Sequence, residues 1–166
     1  MSVSRNNEIL KTTIDKNGIF RLTLNSQHNH NALSEEMMLN IQTALDESIN
    51  NKKIRVIIVS ADGPTFSSGH DLADRSEMDE FSPVTNWGGF AKPGAEGRQA
   101  LEEEIYLGLC WRWRNLPKPT IAEVQGKVIA GGLMLIWVCD LIVATTETTF
   151  SDPVVAFGVN GVEYFA

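Results

Sequence analysis

The sequence is short of cysteine, of histidine and of positive charge, and it has no long apolar run. Only Cys110 and Cys139 occur among 166 residues, each inside an apolar stretch, LGLCW and WVCDL. Two cysteines so placed read as reduced core thiols rather than a disulfide framework. A reducing, cytoplasmic setting is the expectation that follows. Lys and Arg number 14 against 21 Asp and Glu, a net charge of −7. That balance argues against nucleic acid or an anionic membrane surface as the main partner. It leaves room for an anionic small ligand held by a local basic cluster.

The longest apolar run, residues 128–138, contains Gly131-Gly132. It falls short of the roughly 20 residues that cross a bilayer, so no membrane span is expected. The opening MSVSRNNEIL lacks the continuous apolar stretch of a secretory signal. His28, His30 and His70 have no Cys or carboxylate set beside them, so no metal site is expected. A Ser67/Ser68, His70, Asp71 triad is disfavoured because neighbours in one turn rarely reach triad geometry. The GxSxG elbow of a serine hydrolase is missing as well.

What is present is an ordinary globular composition, 43% apolar, with clear periodicity. Phe20, Leu22 and Leu24 alternate with polar residues, predicting a strand over 19–24 after another over 8–14. Asn17-Gly18 between them signals a hairpin turn. Ser34 reads as the N-cap of a helix, with Glu35 and Glu36 in its first turn. Met37, Ile41, Leu45 and Ile49, with Met38 and Ala44, mark its apolar face. IRVIIVS, residues 54–60, predicts a buried strand. Residues 74–98, rich in Gly, read as a surface insertion, mobile or lid-like. Leu101, Ile105 and Leu109 then mark a helix ending before Leu116-Pro117. A strand over 120–124, an apolar helix opened by Gly131-Gly132, and a strand over 140–144 complete the series. Alternating strands and helices predict an α/β domain with crossover connections.

Two segments rich in small residues stand at predicted strand ends. They are FSSGHDL, residues 66–72, and QGKVIAGG, residues 125–132. Open α/β sheets bind ligands at such places. Glycine there lets a ligand approach backbone N–H groups. Glycine pairs also serve packing and turns, and the residues alone leave both uses open.

Asn31-Ala32-Leu33 with its following helix, FSSGHDL, and VQGKVIAGGLMLIWVCDLIVA with Phe150 downstream resemble crotonase segments, in the same order. The resemblance to this enoyl-CoA hydratase/isomerase superfamily runs from about residue 9 to the end. It implies a crotonase-like ββα spiral core over 1–166, with the C-terminal helical part apparently missing. It implies an acyl-CoA thioester as ligand, its oxygen between the backbone N–H groups of His70 and Gly131. Ser68, His70, Asp71, Leu72 and Gly131 would line the substrate and CoA path. No separate cofactor is implied, since coenzyme A enters as part of the substrate. A homotrimer or hexamer is implied for the full-length chain.

The departures from the family pattern matter equally. Hydratases of this type carry one Glu two residues after the second glycine pair and another just after a Pro. Here those positions hold Met134 and Val154. Neither side chain can hold and activate a water. Classical hydration is therefore not expected. Glu163, in GVNGVEYF, is the candidate replacement, and Asp152 is the runner-up. The expected chemistry is stabilisation of a thioester enolate. The rival is an inactive crotonase-like paralogue that keeps the fold and the ligand.

Overall fold

The computed structural model describes residues 4–6, 9–72, 97, 99–100 and 102–158. Two sheets form the frame. The larger has six strands in the order β1-β2-β3-β4-β6-β8. These are β1 (Ser4–Asn6), β2 (Leu10–Ile14), β3 (Ile19–Leu24), β4 (Val56–Ala61), β6 (Thr120–Val124) and β8 (Leu141–Ala144). The first three pair antiparallel, and β3, β4, β6 and β8 run parallel. The smaller sheet joins β5 (Thr65–Ser67), β7 (Lys127–Ile129) and β9 (Thr149–Ser151), all parallel.

The β2–β3 turn departs from a two-residue Asn-Gly hairpin. Only Gly18 has positive φ, at 82°. Asp15 instead organises the loop, its carboxylate accepting from the amides of Asn17 and Ile19 at 2.9 and 2.8 Å. A side chain that mimics backbone acceptors, followed by a left-handed glycine, gives a longer turn than the dipeptide alone suggests.

Helix α1 (Glu35–Asn50) starts as expected, the Ser34 hydroxyl accepting from the Met37 amide at 3.1 Å. Its buried stripe is Met37, Met38, Ile41, Ala44, Leu45 and Ser48. Ile49 is only half-buried, and Ser48 takes the inner place by donating its hydroxyl to the Leu45 carbonyl at 2.7 Å. The stripe shares one buried core with Leu22, Leu24, Ile57 and Val59 of the larger sheet. Burial of each such side chain stabilises the fold by roughly 1.5–3 kcal/mol.

Of the helix predicted around Leu101, Ile105 and Leu109, Leu101 lies outside the described residues and the remainder is helical but not uniform. Residues Glu102–Leu107 form a π-helix that continues into α2 (Gly108–Arg114). A last helix, α3 (Gly131–Trp137), follows β7 and is buried at every residue except Trp137. Among the described residues no helix is long and apolar enough to cross a membrane. Leu141 and Val143 of β8 are each 60% exposed and Phe150 of β9 is 50% exposed, so an apolar edge faces solvent. The expected insertion over 74–98 lies outside the described residues, apart from Gly97.

Candidate functional site

The two small-residue segments follow the smaller sheet rather than the larger one. FSSGHDL begins in β5, and the Ala130-Gly131 turn follows β7. From the sequence alone these turns follow the strands predicted over 54–60 and 120–124, whereas they stand on β5 and β7. Three-residue strands carry too little alternation to be read separately. Because β5, β7 and β9 are parallel neighbours, their carboxyl ends deliver three turns to one edge. Those turns hold His70, Gly131 and Asp152.

Asn31 anchors this edge. It is buried and left-handed, with φ of 53°. Its side-chain amide donates to the carbonyls of Asp62 and Thr65, each at 2.9 Å. Its side-chain oxygen accepts from the Ser26 amide at 2.7 Å. The Ser67 hydroxyl donates to the Asn31 carbonyl at 2.8 Å and accepts from the Gly69 amide at 3.2 Å. One asparagine thereby ties the loop before α1 to both ends of β5.

His70 forms an isolated parallel bridge with Leu33. Leu33 donates its amide to the Gly69 carbonyl at 2.8 Å, and the Asp71 amide donates to the Leu33 carbonyl at 3.1 Å. Successive amides of an extended segment point to opposite sides. The amide of His70 therefore points away from Leu33. On that side lies Gly131. A Cβ built on Gly131 would sit 3.3 Å from the His70 nitrogen and 2.6 Å from its ring Nδ1. A Cβ on Gly69, whose φ is 89°, would sit 3.0 Å from the Gly131 nitrogen. Both positions thus need glycine for space, and Gly69 needs it for its backbone too.

Ala130 stands before Gly131 with φ of 47° and ψ of −119°. That is a strained backbone for a residue with a side chain, costing about 1–3 kcal/mol. Its amide donates to the Ser151 carbonyl at 2.9 Å. The Gly131 amide opens α3, so it has no intrahelical acceptor. Two adjacent main-chain donors of this kind suit a single oxygen that gains negative charge.

The ring of His70 has its own setting. Nε2 lies 3.1 Å from the Glu102 carboxylate. The imidazole stacks on Tyr106, with ring centroids 3.9 Å apart and planes at 27°. The Tyr106 hydroxyl donates to the Leu33 carbonyl at 3.0 Å. Glu102 and Tyr106 are four residues apart in the π-helix, which presents both to the same ring. The sequence pointed to the amide of His70 and missed Glu102, which lies 32 residues away.

The other expected residues are more dispersed. Ser68 donates its amide to the His30 carbonyl at 3.0 Å and its hydroxyl to the Asn29 carbonyl at 3.4 Å. Asp71 accepts from the Asn29 side chain at 3.3 Å. Leu72 is 89% exposed. Asp152 caps the 3-10 turn Pro153–Phe157, accepting from the Val154 amide at 3.4 Å. Val154 is half-buried and Met134 is fully buried in the core. Glu163 lies outside the described residues. Asp140 serves structure, accepting from the amide and hydroxyl of Thr120 at 2.8 and 3.0 Å. Among the described residues no group of three or more His, Cys, Asp or Glu could hold a metal ion.

A two-sheet α/β core whose smaller sheet ends on two touching amide-bearing turns defines the class of protein. The chain belongs to the enoyl-CoA hydratase/isomerase family, whose model matches residues 15–164. It is 40% identical over 160 residues to EchA13 of Mycobacterium tuberculosis, covering 92% of this chain and 50% of that one. It is 33% identical to the mitochondrial enoyl-CoA hydratase domain-containing protein 3 of Danio rerio, covering 96% of this chain and 50% of the relative. The crystal structure of a probable enoyl-CoA hydratase from Mycobacterium thermoresistibile superposes with a TM-score of 0.79 at 36% identity. That match covers 95% of this chain and 58% of the other. The chain therefore has the crotonase fold and spans about half the length of the curated relatives it matches.

Proposed function

We propose that this chain carries the thioester-binding half of a crotonase-type enzyme. An acyl-CoA binds with its carbonyl oxygen between the amides of His70 and Gly131. The observation that carries this reading is the Leu33–His70 bridge, which turns the His70 amide toward Gly131. Loss of a proton from the carbon beside the carbonyl drives charge onto that oxygen. Fixed amides stabilise it, each by roughly 2.7–4 kcal/mol in comparable sites. Coenzyme A arrives with the substrate, and no other cofactor is part of the proposal. The family membership and the relatives named as enoyl-CoA hydratases support it.

Hydration of crotonyl-CoA is proposed to be slow, because Met134 and Val154 stand where hydratases of this type carry acid–base carboxylates. Of the carboxylates at 152 and 163, activity is proposed to depend on Glu163 more than on Asp152, which is engaged as a cap. The complete polypeptide is proposed to work in the cytoplasm as a homotrimer or hexamer. The open apolar edge of β8 and β9 supports burial against further protein.

The test is calorimetric titration with butyryl-CoA, for the wild type and for Gly131→Ala. The added methyl would stand 2.6 Å from the His70 ring and 3.3 Å from its amide nitrogen, crowding the place of the carbonyl. Binding by the wild type and its loss in the variant support the reading. Equal binding by both would contradict it. A catalytically inactive paralogue is the second reading, favoured by the apolar Met134 and Val154. It predicts binding without turnover on enoyl, dienoyl and malonyl thioesters.

A further inference from the structure

The proposed reaction needs a group that moves a proton at the carbon beside the thioester. Met134 is buried and apolar, and Asp152 caps a turn. The described residues do offer one nitrogen-bearing ring at the two amides. Nδ1 of His70 lies 2.6 Å from the Cβ position of Gly131, so the ring edge borders the place where the carbonyl would sit. Nε2 is turned the other way, onto Glu102 at 3.1 Å. The ring is held flat against Tyr106. This is the arrangement of a base with an orienting carboxylate: one nitrogen fixed by the acid, the other left to the substrate.

We propose that the imidazole of His70, oriented by Glu102, is the base that takes the proton at the α-carbon, a step apart from the dependence on Glu163 proposed above. The inference rests on the acyl-CoA reading above. With the Nε2 proton donated to Glu102, the lone pair of Nδ1 faces the bound thioester. It takes a proton from the α-carbon. The electron pair of that C–H bond becomes the enolate, and the charge is held on oxygen between the two amides. The imidazolium then donates through Nε2 to Glu102 and through Nδ1 to the acyl chain. Return of the proton to the same carbon exchanges it with solvent. Return to the γ-carbon of an unsaturated chain shifts a double bond. Each step balances with no oxidant, reductant or metal. Glu102 bears on the reaction through the imidazole it holds, so it acts as a positioning residue.

Substitution of the His70 side chain leaves the main-chain amide in place, so the two functions of this residue separate. The experiment follows exchange of the α-protons of butyryl-CoA in D₂O by NMR, beside calorimetric binding of the same ligand. Wild type should bind and exchange. His70→Gln should bind with similar affinity and exchange at least about 100-fold more slowly. Glu102→Gln should slow exchange by about tenfold or more at unchanged affinity, a split that a purely structural role would not produce. Added free imidazole should restore part of the rate to His70→Ala. Binding without exchange in the wild type would overturn the inference while leaving the acyl-CoA reading intact. Exchange undiminished in both His70→Gln and Glu102→Gln would do the same. Failure of the wild type to bind butyryl-CoA would overturn the reading on which the inference rests.

Discussion

His70 and Tyr106 lie face to face, their ring centroids 3.9 Å apart, while the Tyr106 hydroxyl reaches past the histidine to the Leu33 carbonyl at 3.0 Å. Leu33 is also the residue that turns the His70 amide toward Gly131. One tyrosine therefore steadies the ring and the main chain of the same histidine. Stacking of this kind contributes about 0.5–1.5 kcal/mol beyond area burial. Its hydrogen bond adds about 0.5–1.5 kcal/mol.

Tyr106→Leu should accordingly lower unfolding stability by about 1–3 kcal/mol. Tyr106→Phe should lose only the hydrogen-bond part. Urea denaturation of the pair checks the ordering. Equal losses would show that the stack contributes little.

Asn31→Ala should be among the most damaging single changes in the chain. It removes two donors and one acceptor from a buried position and asks alanine to hold φ of 53°. Leaving buried main-chain groups unpaired costs about 1–3 kcal/mol apiece. Partial relaxation brings the expected loss to roughly 3–5 kcal/mol. A shift in the thermal midpoint of the variant reads this directly. A near-wild-type midpoint would show that the loop does not depend on Asn31.

The thiols give a pH signature. Burial pushes Cys110 and Cys139 each from 9.0 up to about 12. In the native state both keep their protons where the unfolded chain gives them up. Their contribution to stability is therefore fully present below pH 9 and is lost as pH rises toward about 12. The slope is at most about 1.4 kcal/mol per pH unit for each thiol. Denaturation series from pH 8 to 11 on the wild type and on Cys110→Ala should show a shallower fall in the variant. Iodoacetamide at pH 8 should label neither thiol until the chain is unfolded.

Much of this architecture is legible in the sequence, and the exceptions share a cause. The alternation of Phe20, Leu22 and Leu24 and the stripe from Met37 to Leu45 are periodic over enough residues to identify a strand and a helix. The Ser34 cap is a local hydrogen bond and can be read locally. The strands β5, β7 and β9 are three residues each, too short to repeat an alternation that could announce them. The π-helix of Glu102–Leu107 keeps the same four-residue spacing between apolar positions as an α-helix, so the pattern cannot separate the two. The two amide-bearing turns were visible through their glycines and through resemblance to a family. The Glu102–His70 pair depends on tertiary packing between residues far apart in the chain, and no local pattern encodes it.

The proposal that one thioester oxygen sits between the amides of His70 and Gly131 can be checked at the oxygen itself. The most direct measurement is the ¹³C NMR shift of the carbonyl of [1-¹³C]butyryl-CoA, free and bound. Two hydrogen bonds to that oxygen polarise the carbonyl. A downfield shift is expected on binding to the wild type and to His70→Gln, which keeps the amide. A carbonyl resonance that does not move when the ligand is fully bound would contradict it.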